Sequence, residues 1–118
     1  IIIDGTDNFE TRFLINDVAI KNNIPWIYGS AIETYGMTMN IVPGETPCLR
    51  CVIRKPPPPA SLPTCETVGI IPSIASIISS IQVTEAIKIL LNKEYHKDLL
   101  IVDVWNNDFT SIRINADE

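Results

Sequence analysis

The sequence has few cysteines, few basic residues and no long uninterrupted apolar segment. Its three cysteines in 118 residues are too few for the disulfide framework of a small secreted domain. The longest basic run is Arg54-Lys55 and the net charge is −5, so we expect no nucleic-acid binding. The apolar stretch 70–81 is followed at once by the polar residues Gln82 and Glu85. The stretch is therefore too short to span a bilayer. No signal peptide is visible. From these absences we expect that the protein binds neither a membrane nor a nucleic acid.

The order of the predicted elements is typical of an α/β fold. A length of 118 residues with 46% apolar content corresponds to one domain. The chain starts inside a strand without an initiator methionine, so we expect it to be a piece of a larger protein. The β-α-β-β-loop-α-β-β order predicts an α/β sheet with part of its strand set missing. We predict strands at 1–4, 26–30, 37–42, 99–104 and 109–114, a helix ending at residue 20 or 21, and a longest helix at 69–91.

Two aspartates follow the first strand, in the sequence DGTDNFETR. Asp7, with Glu10 three residues later, predicts a helix N-cap of the capping-box type. A carboxylate at the end of a strand is equally suited to Mg²⁺ beside a nucleotide phosphate. Asp4 is either a second ligand or a turn residue. Arg12 is predicted to pair with a carboxylate or a phosphate, or to be a plain surface charge.

The cysteines suggest several chemistries. Cys48-x-x-Cys51 has the spacing of half a zinc site, although a local site completed by Cys65 and His96 is not supported by spacing. A redox dithiol is a further reading, but the strand-to-helix context that activates such thiols is missing. Cys65, just before the long helix, is either a reactive thiolate or a small buried filler. We interpret His96 as a solvated loop residue. A Cys-x-x-Cys pair with one further cysteine suits a reducing compartment, and we expect the protein to be cytoplasmic.

Four motifs in this order resemble one protein family: DGTDNFETR at 4–12, GMTM at 36–39, PGETPCLRC at 43–51 and PTCETVG at 63–69. The chain is similar to the C-terminal half of a ThiF/MoeB/HesA-type adenylyltransferase, a relative of ubiquitin-activating E1 enzymes, and most similar to ThiF-like thiamine-biosynthesis proteins. The resemblance implies the C-terminal portion of a Rossmann-like E1 adenylation domain, with a mixed sheet, a hairpin and a long buried helix. Residues 1–118 would form a single partial domain whose crossover loop covers about 43–69.

The resemblance also implies a reaction and its partners. Such enzymes bind ATP and Mg²⁺ together with the C-terminal Gly-Gly tail of a ubiquitin-like sulfur carrier of the ThiS/MoaD type. The tail carboxylate attacks the α-phosphate, which gives an acyl-adenylate and pyrophosphate, and sulfur then replaces AMP to leave a thiocarboxylate. The product serves thiamine or molybdopterin biosynthesis. Family members are commonly cytoplasmic homodimers, and the apolar helix at 69–91 suits burial in such an interface.

Individual residues acquire roles from the same resemblance. Asp7 matches the family's Mg²⁺/ATP aspartate, with Asp4 and Arg12 as further candidates for binding the nucleotide and its metal. Cys48 and Cys51 match the first half of a Cys₄ zinc site. Cys65 matches the cysteine that ThiF-like members use in sulfur transfer, through a covalent bond with the carrier.

Some of the family's motifs fall outside this sequence. The Gly-x-Gly-x-x-Gly loop and the basic phosphate contacts would precede Ile1, and the second cysteine pair would follow Glu118. We therefore expect the 118 residues alone to be inactive and not to hold zinc firmly. The alternative function is a non-catalytic E1-like scaffold that docks a ubiquitin-like partner. A fragment of a Rossmann-type dehydrogenase would explain neither the cysteine pair nor the proline-rich loop.

Overall fold

A five-stranded mixed sheet with helices on both faces organises the chain. The structure is a computed structural model that describes residues 1–54 and 68–115. The proline run at 56–59, Cys65 and about half of the predicted crossover loop, residues 55–67, lie outside the described residues. The described elements are β1 (Ile2–Ile3), α1 (Phe9–Lys21), β2 (Trp26–Ile32), β3 (Tyr35–Ile41), α2 (Leu49–Val52), α3 (Pro72–Leu90), β4 (Leu99–Asp103) and β5 (Asp108–Ile112).

The strands lie in the order β1-β2-β3-β4-β5. β1 pairs in parallel with β2, as expected for two strands joined through a helix. The remaining neighbours are antiparallel. The predicted hairpin is confirmed, with Trp26 opposite Ile41 and Ile32 opposite Tyr35. Its turn places Glu33 at φ 54°, in the left-handed region that a tight reversal of the chain often needs.

Alternation along the strands divides the core between the two faces of the sheet. On one face, Trp26 and Tyr28 of β2 pack with Phe13 of α1 and Leu49 of α2. On the other face, Ile74 and Ile78 of α3 pack with Val102 of β4. The predicted fold class is therefore confirmed, as an α/β sheet covered on both sides.

The helix α3 lies very close to the sheet. Pro72 occupies its first turn, where the missing proline N–H costs nothing. A Cβ built on Gly36 would come within 2.7 Å of Ile78 Cγ1 and of the Ser30 carbonyl oxygen, so only glycine fits beneath the helix at this point. The expectation of a fully buried helix needs refinement, because only one face of α3 is covered and Val83, Ile87 and Leu90 are exposed.

Two expectations about helices are wrong in detail. By length and composition alone, Pro72–Leu90 is apolar enough to cross a membrane, although the sequence interruptions predicted otherwise. Such a helix is weak support for a membrane span, because the same composition serves a helix that packs on a sheet. The segment after Pro47, predicted to be irregular, forms the short helix Leu49–Val52, whose Leu49 side chain is fully buried. Burial of that side chain explains the local helix that sequence propensity did not indicate.

Candidate functional site

The side chain of Asp4 lies buried just beyond the end of β1. Its carboxylate accepts hydrogen bonds from the Thr6 amide at 2.8 Å, from the Thr6 hydroxyl at 2.6 Å and from the Gly29 amide at 3.2 Å. Because β1 and β2 are parallel neighbours, Asp4 at the carboxyl end of β1 lies beside β2 and bonds to Gly29 in the middle of that strand. Asp4 was predicted to be either a second metal ligand or a turn residue. Its observed contacts are those of a turn residue.

Arg12 completes the environment of Asp4. Its Nε lies 3.2 Å from Asp4 Oδ2, with both side chains almost fully buried. Its Nη2 donates to the Thr6 carbonyl oxygen at 2.6 Å, and the guanidinium lies 5.3 Å from the ring of Phe9 and 5.7 Å from that of Tyr28. Arg12 thus pairs with a carboxylate, which was one of the three alternatives, and it is not a surface charge. The pair fixes the loop between β1 and α1.

Asp7 is exposed, and it is not the N-cap of α1. Asn8 holds that position, and its Oδ1 accepts from the Thr11 amide at 2.8 Å. The predicted capping box of Asp7 with Glu10 is therefore wrong by one residue. The helix begins at Phe9, so the cap is Asn8 and the amide it binds is that of Thr11, three residues later. Asp7 receives a hydrogen bond from Asn8 Nδ2 at 3.1 Å. The Asp7 side chain is exposed to solvent, and it lies beside the positive N-terminal end of α1.

Gln82 of α3 also supports this edge of the sheet, a role that was not predicted. Its Nε2 donates to the carbonyl oxygens of Asp4 at 3.0 Å and Ile27 at 3.1 Å, and the side chain is 3% exposed. The only signal available in the sequence is a polar residue within an apolar helical stripe. Gln82 thus joins α3 to the loop that presents Asp7.

The cysteine pair lies at the other end of the same layer, against α1. Cys48 precedes α2 and Cys51 lies within it, and the Cys51 amide donates to the Cys48 carbonyl oxygen at 3.0 Å. Both thiols are free and partly exposed. Within residues 1–54 and 68–115, no group of three or more His, Cys, Asp or Glu residues is placed to hold a metal. The described residues thus offer two neighbouring thiols and no further ligand.

A separate cavity of about 240 Å³ lies between α3 and strands β3 and β4. Within it, Glu85 Oε1 accepts from Asn40 Nδ2 at 3.0 Å and from the His96 amide at 2.7 Å, while Oε2 pairs with Lys88. Burial alone would raise the pKa of Glu85, but the hydrogen bonds from Lys88, His96 and Asn40 outweigh it and lower that pKa. These contacts tie the segment after α3 to the sheet. The imidazole of His96 is within 3.3 Å of the Ser111 hydroxyl.

Comparisons with known proteins show what the chain is similar to. The model of the ThiF family matches residues 1–118. The chain is 42% identical over 113 residues to the sulfur carrier protein ThiS adenylyltransferase of Bacillus subtilis, covering 96% of this chain and 33% of that protein. It is 35% identical over 121 residues to the SAMP-activating enzyme E1 of Haloferax volcanii, covering 99% of this chain and 44% of that protein.

Solved structures share the fold. Escherichia coli MccB, crystallised with AMPCPP and MccA, matches with a TM-score of 0.78 at 13% identity, over 98% of this chain and 37% of that one. At this identity the likeness shows the fold alone. The chain spans between 33% and 44% of the length of the two curated relatives.

Proposed function

Because the chain belongs to the ThiF family, we propose that it is part of an ATP-dependent adenylyltransferase that activates a ubiquitin-like sulfur carrier. The C-terminal glycine of the carrier would become an acyl-adenylate on the way to a thiocarboxylate, for thiamine or molybdopterin biosynthesis. One similar protein is named as the adenylyltransferase of the sulfur carrier protein ThiS, and another as a SAMP-activating enzyme E1. The observation that carries the proposal is the exposed Asp7 carboxylate at the carboxyl edge of β1, held by a loop that Asp4, Arg12 and Gln82 fix.

The chemistry of Asp7 fits Mg²⁺ bound to ATP. Only one of its oxygens receives a hydrogen bond within the described residues, and carboxylate oxygens suit this hard cation. When bound, the metal would offset negative charge on the phosphates. Asp4 and Arg12 would support Asp7 indirectly, because their buried ion pair fixes the backbone of the loop that carries Asp7. The positive N-terminal end of α1 would add a favourable field for phosphate.

Cys48 and Cys51 fit one half of a structural zinc site. Two thiols one helical turn apart supply two of the four ligands that tetrahedral zinc requires. The remaining ligands would come from outside the described residues. When bound, zinc would cross-link α2 to another part of the protein and would take no part in adenylation.

We assign two further roles to the same function. Cys65, which lies outside the described residues, is proposed as the sulfur-transfer nucleophile that bonds covalently to the carrier. The exposed apolar side chains Val83, Ile87 and Leu90 on α3 are proposed as part of a homodimer interface, because burial of apolar area favours association. The enzyme would act in the cytoplasm.

Pyrophosphate exchange into ATP tests this function. The purified protein that contains this chain is incubated with ATP, Mg²⁺, labelled pyrophosphate and a ThiS-like carrier. We expect exchange that depends on the carrier and disappears when its C-terminal Gly-Gly is removed. Tight carrier binding without any exchange would instead support the non-catalytic scaffold, and would overturn the proposal.

A further inference from the structure

The two residues between the cysteines are both anchored to α1. In the sequence Cys48-Leu49-Arg50-Cys51, the amide of Leu49 donates to Asn16 Oδ1 at 3.1 Å. The same oxygen accepts from Trp26 Nε1 at 3.4 Å. Asn16 is 1% exposed and Leu49 is fully buried. A buried amide side chain therefore holds the backbone of the turn from below.

Arg50 is held by the neighbouring residue of α1. Its Nε and Nη2 donate to the two carboxylate oxygens of Asp17 at 2.9 and 2.8 Å. Its guanidinium also lies 4.9 Å from the ring of Phe13, one helical turn before Asp17. Hydrogen bonding and the charge of Arg50 lower the pKa of Asp17. Phe13 lies on the same side of α1 as Asn16 and Asp17, which follow it by three and four residues.

We propose that Asn16 and Asp17 are positioning residues for the thiols of Cys48 and Cys51, and that they fix the metal-binding turn before any metal arrives. The proposal rests on the zinc site suggested above. A free Cys-x-x-Cys segment must lose conformational entropy when it binds a metal. A turn whose two central residues are already anchored loses less, so its affinity for metal is higher.

Substitution of Asp17 distinguishes an effect on metal affinity from an effect on the stability of the fold. Asn16 also bonds to Trp26, so changing it will disturb the core. Asp17 and Arg50 are about half exposed, and an exposed ion pair contributes little to the stability of a fold. A change in metal affinity without a change in stability would therefore identify positioning.

Cobalt and zinc titrations of the purified full-length protein provide the test. Co²⁺ bound to thiolates gives a charge-transfer absorption, and zinc competition against a chelator gives the relative affinity. We expect Asp17→Ala and Arg50→Ala each to weaken metal binding about two- to fivefold with unchanged thermal unfolding. We expect Asn16→Ala to weaken it about ten- to a hundredfold, with faster hydrogen exchange of the Leu49 amide in the metal-free protein. The charge-swapped double variant Asp17→Arg/Arg50→Asp should recover affinity.

Asp98→Ala serves as the matched control, because Asp98 pairs with Arg113 at 3.7 Å and is remote in sequence from the cysteines. It should bind metal as the wild type does. If the wild type binds metal through Cys48 and Cys51 but the Asp17 and Arg50 variants bind equally well, positioning is wrong while the zinc site stands. If the wild type itself shows no thiolate absorption, the zinc site is wrong and the positioning role falls with it.

Discussion

The guanidinium of Arg12 and the carboxylate of Asp4 form an ion pair in the protein interior, with Nε and Oδ2 3.2 Å apart. The pair lies directly beneath the loop that presents Asp7. Since breaking a buried pair leaves one charge without a partner, we expect Arg12→Ala to cost about 3–5 kcal/mol of unfolding free energy. Urea denaturation measures this cost.

The matched control for that variant is the double substitution Asp4→Asn/Arg12→Ala, which removes both charges. It should lose less stability than Arg12→Ala alone, because no buried charge remains unpaired. Equal losses of unfolding free energy in the two variants would show that the buried Asp4 carboxylate does not need the charge of Arg12.

Asp7 and Asn8 are adjacent, and substitutions should separate their functions. Asp7→Ala should reduce carrier-dependent pyrophosphate exchange on the order of a hundredfold and leave the free energy of unfolding nearly unchanged, because its side chain is exposed and does not cap the helix. Asn8→Ala should cost about 1 kcal/mol of stability by removing the cap. Exchange assays and urea denaturation of both variants provide the comparison. A large loss of stability in Asp7→Ala would restore it as a structural residue.

The cost of each glycine substitution should depend on whether the atom that a new Cβ would meet can move aside. A Cβ on Gly36 would meet the Ser30 carbonyl oxygen at 2.7 Å, one on Gly29 would meet Gln82 Nε2 at 2.4 Å, and one on Gly5 would meet nothing within 4 Å. A backbone atom cannot move aside, whereas a side chain can at the cost of its hydrogen bonds. We expect Gly36→Ala to destabilise by about 2–3 kcal/mol, Gly29→Ala by about 1–2 and Gly5→Ala hardly at all. Thermal unfolding of the three variants would reveal any other order.

The Glu85 cluster should make stability depend on pH in the acid range. The pKa of Glu85 in the folded state lies below its ordinary value of 4.5, so the unfolded chain binds a proton more readily. The stabilisation is therefore fully present above that ordinary value and is lost as pH falls through the lowered folded pKa. Glu85→Gln keeps the shape but removes the charge, and we expect it to cost about 1–2 kcal/mol at pH 7.

Urea denaturation across the acid range compares Glu85→Gln with the wild type. The difference in stability between them should shrink as the pH is lowered. A difference that stays constant down to the most acidic folded condition would contradict the proposed role of the charge.

The elements of this fold could be predicted from sequence wherever local patterns decided them. The apolar run before Asp4 marked β1, the predicted hairpin was found as β2 and β3, and the two last predicted strands were found as the antiparallel pair β4 and β5. The N-cap was misplaced by one residue because Asp7 and Asn8 are both good capping residues, and only backbone geometry distinguishes them. The helix α2 was missed because four residues are too few for periodicity to show.

By itself the sequence determined which chemical groups this protein has and in what order: a carboxylate after a strand, a spaced pair of thiols and an apolar helix. Only the tertiary structure decided their roles, because those depend on partners distant in the chain. Asp4 became a buried anchor through Arg12, Gly29 and Gln82, which lie up to 78 positions away. Asn16 and Asp17 meet Leu49 and Arg50 across 33 positions, a contact that no local pattern of hydrophobicity encodes.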